Sequence, residues 1–416
     1  MVTILAITCL LLFAGISRCL ERSLLYPPFA MAGCWALLLF LHACSGLLLP
    51  LHEETLCFYV AGAVAFCLGG FVVHFFYPPG RASVAYDRSR VRNILTIFLL
   101  ILTVGFPSYL SFITGLVGDW GSGSLWASGG FWVILRQRLI EEQAEALGGF
   151  SGMDNLVVIA DVTALIAWYH RDTEKWRAGA AFAFFLAYNL LTAGRAGFVS
   201  ILLALFAIEV IRRRRVPWRP MVALALVFVV AFFGLALLVG KAGANTNDSL
   251  SESAPVLIDG LELYAVGSLV AFDHLYLHPG TIPPTQNIDR NFRILAGKFG
   301  FRSEVPYLHA DFRTVGAAGI GTNTYTIYFT YFPQLGTAGS LAMMLLLGVM
   351  VTGAYCRAAG GEPQAVILFA TLFYGIPLSG YSENYFLNLN FLTKMALVLA
   401  CCYRSAARPA GHSLAC

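Results

Sequence analysis

"LLTAGRAGFVSILLALFAIEVIRRRRVP", residues 190–217, sets a single arginine, Arg195, inside an apolar run that extends from Ala178 to Ile211. As one helix this run would be about 51 Å long at 1.5 Å per residue, and its two basic flanks would lie on opposite faces of a bilayer. Basic residues in short loops collect on one face. The run therefore reads as two arms joined by a turn at "TAGRAG", where Gly194 and Gly197 supply backbone freedom. Each arm is only about 23 Å long, so the tip lies below the outer surface and Arg195 is recessed near the depth of lipid phosphates. An ionisable side chain at that depth marks a functional site by default. The alternative is a snorkelling arginine that touches headgroups.

Composition supports the membrane setting. Hydrophobic residues make up 58% of the chain and charged residues 12%, with a mean hydropathy of +0.72; a soluble domain carries roughly 25% charged residues. Spans of about 20 apolar residues cross the hydrocarbon core as helices, which satisfy their own backbone polar groups. Candidate spans are 2–17, 28–48, 56–76, 94–113, 152–170, 178–193, 197–211, 220–240, 336–356, 364–379 and 389–403. The fold class expected is all-α: a polytopic bundle of about 11 to 12 transmembrane helices. The first segment has the length of a signal-peptide core but lacks a basic n-region, so it reads as an uncleaved span.

Charge distribution orients the bundle. Arg18 and Arg22, the group from Arg81 to Arg92, Arg171 to Arg177, and Arg212 to Arg215 all fall on one side of an eleven-span arrangement, which the positive-inside rule assigns to the cytoplasm. The expected organisation is an N-terminal bundle over 1–240, a long outer loop over 241–335, C-terminal spans over 336–403 and a cytoplasmic tail over 404–416.

Two long outer loops remain, 114–151 and 241–335. "FWVILRQRLIEEQAEA" (131–146) starts aromatic and turns charged, as an interfacial amphipathic helix does; a helix that packs over the bundle has the same pattern. "SESAPVLIDGLELYAVGSLVAFDHLYLHPG" sets Glu252, Asp259, Glu262 and Asp273 around an apolar stripe and could dip partway into the membrane. "DRNFRILAGKFGFRSEVPYLHADFRTVG" then gathers Arg290, Arg293, Lys298, Arg302 and Arg313. A guanidinium fork suits phosphate, because it donates two parallel hydrogen bonds. Pairing with Asp289, Glu304 and Asp311 is the alternative.

Several chemistries lack their signatures. None of the ten cysteines falls in a long outer loop, so no disulfide framework is expected there. The eight histidines show no zinc spacing, and neither a P-loop nor a Rossmann glycine fingerprint occurs. No metal, cofactor or nucleic-acid partner is expected, and the absence of a visible repeat weighs against a transporter of inverted halves.

"LLTAGRAGFVSILLALFAIEVI", "ELYAVGSLVAFD" (262–273) and "GTNTYTIYFTYFPQLGTAGSL" (321–341) together resemble landmarks of the Wzy-type O-antigen polymerases. This family is related to the O-antigen ligases and to GT-C membrane glycosyltransferases. The likeness covers the order of spans from about 90 to 403. It departs after the aromatic pair, where relatives often show an acidic residue and Phe-Gly but this chain reads Phe332-Pro333-Gln334-Leu335-Gly336; no carboxylate role is assigned there.

The resemblance implies a bacterial inner-membrane enzyme with a GT-C-like bundle and a site facing the periplasm. A growing glycan on undecaprenyl pyrophosphate would pass to a hydroxyl of a lipid-linked repeat unit, with a chain-length regulator as partner. Metal-independent stabilisation of the departing pyrophosphate would fall to Arg195 and Arg313, with Arg290, Arg293 and Arg302 binding the donor. His309, in "PYLHADFR", is the expected base, since its unperturbed pKa is near neutrality. Glu304, Asp311 and Glu383 are further candidates, and Tyr325 is a candidate platform for a sugar ring. A ligase with the same donor and a transporter of lipid-linked oligosaccharide remain the alternatives.

Overall fold

The structure, a computed structural model, describes residues 1–77, 86–117, 153–192, 195–214, 250–279, 313–316 and 320–403, with isolated positions between them. The described helices, in chain order, are α1 (Val2–Leu20), α2 (Pro27–Cys44), α3 (Glu53–Phe76), α4 (Arg88–Val117), α5 (Asp154–Tyr169), α6 (Lys175–Leu191), α7 (Arg195–Arg213), α8 (Leu250–Leu277), α9 (Tyr328–Ala359), α10 (Pro363–Phe373) and α11 (Leu389–Cys402). Two short strands, β1 (Arg313–Thr314) and β2 (Gly321–Thr322), pair antiparallel between α8 and α9. Helices α1 to α4 and α9 are long and apolar enough to cross a membrane. The chain is a helical membrane protein.

The opening stretch folds as two helices. α6 ends at Leu191 and α7 begins at Arg195, and Phe185 stacks on Phe198 with ring centroids 5.4 Å apart across the hairpin. The expected span 220–240 and the amphipathic stretch 131–146 fall outside the described residues, apart from isolated positions.

Side-chain contacts sort the connections into two ends. Tyr26, before α2, meets His74 of α3 and Tyr355 of α9 edge-on at 5.5 and 5.7 Å. Arg177 donates to the Thr96 hydroxyl at 3.1 Å, Tyr169 donates to the Gly361 carbonyl at 3.3 Å, and His170 Nε2 lies 2.7 Å from the Tyr403 hydroxyl. These contacts, with the Arg212–Asp172 pair, unite the α1–α2, α5–α6 and α9–α10 connections with the ends of α3, α7 and α11 and the first turns of α4. The described members of the basic runs thus share one end of the bundle. At the opposite end, Asn155 accepts from Lys394 at 2.8 Å and the Ile327 N–H donates to the Ser379 carbonyl at 2.7 Å.

α8 packs its C-terminal half against the helices of the bundle. Its stretch from Val266 to Asp273 is buried, and Phe272 joins Phe58 and Tyr59 of α3 and Tyr328 and Phe332 of α9 in one aromatic cluster. The described packing of α8 on the bundle therefore runs through its C-terminal half, from Val266 to Leu275. Aromatic clusters of this kind bury large area and prefer such offset and edge-on arrangements.

Helix α3 and α9 come together through glycine. A side chain at Gly348 would overlap the Phe66 carbonyl, and one at Gly69 would overlap the Leu345 carbonyl. Small residues allow membrane helices this approach, where van der Waals packing drives association. Because backbone rather than a flexible side chain is in the way, Gly348→Leu is expected to lose most of its monodisperse fraction in detergent, a cost beyond the ~1–3 kcal/mol of ordinary overpacking. An unchanged elution profile and thermal midpoint would refute this packing.

Two breaks set the geometry of the other end. Pro333 and Gly336, the latter at φ +63°, divide α9 into an outer and a membrane segment. α10 has only 11 residues, about 16 Å, and gives way to turns from 374 to 388 whose Tyr374, Ser379, Glu383 and Tyr385 are buried. Buried non-helical backbone of this kind needs its polar groups satisfied by the surrounding protein.

Candidate functional site

The described candidate residues lie at the end opposite the basic residues of those runs. There the α2–α3 connection is pinned from three sides. His42 Nε2 lies 3.0 Å from the Leu49 carbonyl, which can only accept, so the ring proton sits on Nε2. The Leu49 N–H donates to the Val315 carbonyl at 2.8 Å, and Leu48 bridges Gly316 antiparallel. Ser45 donates to the Glu262 carboxylate of α8. The β1–β2 hairpin, with Arg313, is thereby fixed against the chain entering α3.

His52 is the residue so positioned. It caps α3, and Asp273 of α8 receives its backbone N–H at 3.2 Å and its Nδ1 at 2.7 Å. Only 2% of the Asp273 side chain is exposed, whereas 60% of the His52 side chain is. A buried carboxylate is costly without partners; here two donors and the positive end of α3 compensate it. In neutral imidazole this arrangement holds the proton on Nδ1, leaving the Nε2 lone pair on the exposed side of the ring. That is the geometry of an oriented base.

A second polar group lies under the α6–α7 turn. Asn189 donates to Asp161 Oδ1 at 2.7 Å and to the Phe185 carbonyl at 3.1 Å, and both side chains are buried. Thr192 caps Asn189 by donating to its carbonyl at 2.7 Å. A side chain at Gly197 would meet Asn189 Oδ1 at 3.5 Å, an ordinary contact. An ionisable residue inside an apolar helix is a functional candidate by the rule that singled out Arg195. Arg195 itself starts α7 at this tip; its side chain lies outside the described residues.

Glu383 proves to be an internal brace. Its carboxylate accepts from the backbone N–H groups of Tyr385, Phe386 and Leu387 at 2.7 to 2.9 Å and from the Tyr331 hydroxyl at 2.9 Å. Burial pushes its carboxyl above the usual range, against the opposing pull of those four donors. These bonds satisfy the turn of backbone between α10 and α11 and hold the Glu383 carboxylate inside the protein. Tyr325 is likewise turned inward: it is 6% exposed and stacks on Phe329 at 4.1 Å, so its ring face is already covered.

Among the other expected site residues, Arg313 and Arg293 are half-buried and engaged by the protein. Arg290, Arg302, Glu304, His309 and Asp311 lie outside the described residues. The sequence offered a visible signal for Asp161, a lone carboxylate amid "LVVIADVTALIAWY", and for Asp273 in its apolar stripe. It offered none for His52, whose partner is 221 positions away.

Against known proteins, no family model, no curated sequence and no solved structure matches the chain.

Proposed function

We propose that the chain is a metal-independent oligosaccharide polymerase of Wzy type in a bacterial inner membrane, with the basic end in the cytoplasm and the His52 end in the periplasm. The observation that carries the reading is the His52–Asp273 pair: an exposed imidazole oriented by a buried carboxylate at the same end as the α6–α7 tip that begins with Arg195. The charge separation of the two ends supports the orientation.

The chemistry asks for two things at that face. A hydroxyl of the incoming lipid-linked repeat unit attacks C1 of the donor sugar and forms the new glycosidic bond. The C1–oxygen bond to undecaprenyl pyrophosphate breaks, and that leaving group departs with the electron pair. His52 Nε2 takes the hydroxyl proton, while Asp273 holds the ring and stabilises the imidazolium. Arg195 and Arg313 meet the growing charge on the pyrophosphate as guanidinium donors. Sugar identity enters through residues beyond this pair.

The test is the surface glycan of a deletion strain, resolved on a gel. A polymerase defect leaves single repeat units on the lipid A core. Complete absence of repeats on the core would assign the chain to the ligase reaction, and lipid-linked units stranded in the cytoplasm would assign it to transport.

A further inference from the structure

The basic end holds a second site, independent of glycan chemistry. Arg171, Asp172, Arg212 and Arg213 line an open cleft of about 480 Å³ where the α5–α6 connection meets the C-terminus of α7. Glu209, buried beneath it, is paired by Arg171 and Arg213. Arg212 engages Asp172 through Nη2 and lies over the Tyr169 ring at 5.5 Å. Its other terminal nitrogen, Nη1, is buried and makes no hydrogen bond among the described residues.

Positive residues at a helix C-terminus favour the helix dipole, and that accounts for their presence in the last turn. It does not account for a buried donor left unused, which costs free energy unless something fills it. The charges lining the cleft and beneath it, three arginines against Asp172 and Glu209, leave one positive charge in excess. Arg214, next in the chain, adopts φ 51°, a left-handed conformation that glycine or asparagine takes at lower cost.

Height in the membrane identifies the ligand class. Trp176, on the first turn of α6, is 62% exposed and carries Arg177 over its ring at 4.5 Å, while Arg171 lies over Trp168 at 4.8 Å. Tryptophans at helix ends mark the headgroup level, and basic pockets between helix ends there bind anionic headgroups. We propose that the cleft binds the phosphate of an anionic lipid headgroup, with Arg212 Nη1 as a donor to the phosphate oxygen.

The experiment reads lipid retention by native mass spectrometry on the full chain, released from nanodiscs of phosphatidylcholine with cardiolipin or with phosphatidylglycerol. The native chain is expected to retain an anionic lipid that phosphatidylcholine does not replace, and Arg212→Gln to retain it about fivefold less. Asp172→Asn frees Arg212 Nη2 from its competitor and is expected to raise retention. Should Arg212→Gln fail to fold, the Asp172→Asn result decides. Retention by Arg212→Gln equal to that of the native chain, or weaker retention by Asp172→Asn, would overturn the site. Full displacement of the lipid by millimolar inorganic phosphate would assign the cleft to a soluble anion and overturn the lipid assignment.

Discussion

On the proposed function, His52→Asn is expected to slow glycan transfer about 10²- to 10⁴-fold with the bundle intact. Asparagine keeps an N–H that reaches Asp273 from nearly the position of His52 Nδ1, now 2.7 Å from the carboxylate, so the entrance to α3 stays tied to α8. What disappears is the second nitrogen, and with it the acceptor for the hydroxyl proton. The measurement is the rate of chain extension by purified enzyme on lipid-linked repeat units, together with the KM for donor. A fall in kcat at constant KM is the expected split. Native turnover by His52→Asn, with turnover lost in His309→Ala, would move the base into the loop and sink this assignment.

Arg195→Ala is expected to abolish the ladder of long chains at the cell surface while the protein still inserts. Loss of one donor to a developing oxyanion costs about 10²- to 10³-fold, enough to leave single repeats on the core. Arg195→Lys keeps the charge but not the planar fork, and an intermediate ladder is expected from it. The position makes the prediction specific: Arg195 opens α7 at the α6–α7 turn. A normal ladder from Arg195→Ala would remove that residue from the chemistry.

Much of the architecture is legible in the residues because membrane rules act locally. Two glycines and a pair of basic flanks place the α6–α7 turn, and loop arginines sort the two ends of the bundle. The expected span from 336 starts at Gly336, where α9 is broken. What is hidden depends on distant pairing. α8 carries several carboxylates and so reads as a loop, yet Asp273 accepts hydrogen bonds from His52 of another element. Glu383 reads as an outer acidic residue because the donors that enclose it are mostly its own backbone, which a side-chain pattern does not encode.

The interruption at Gly336 has a mechanical meaning for α9. Below it, the rod is clamped to α3 by glycines that admit no slack. Above it, Tyr331 grips Glu383 and Gln334 accepts the Ile288 N–H at 2.8 Å. Torsion at one residue can thus re-aim the outer rod and drag the 383–387 turn with it, while the membrane anchor keeps its register.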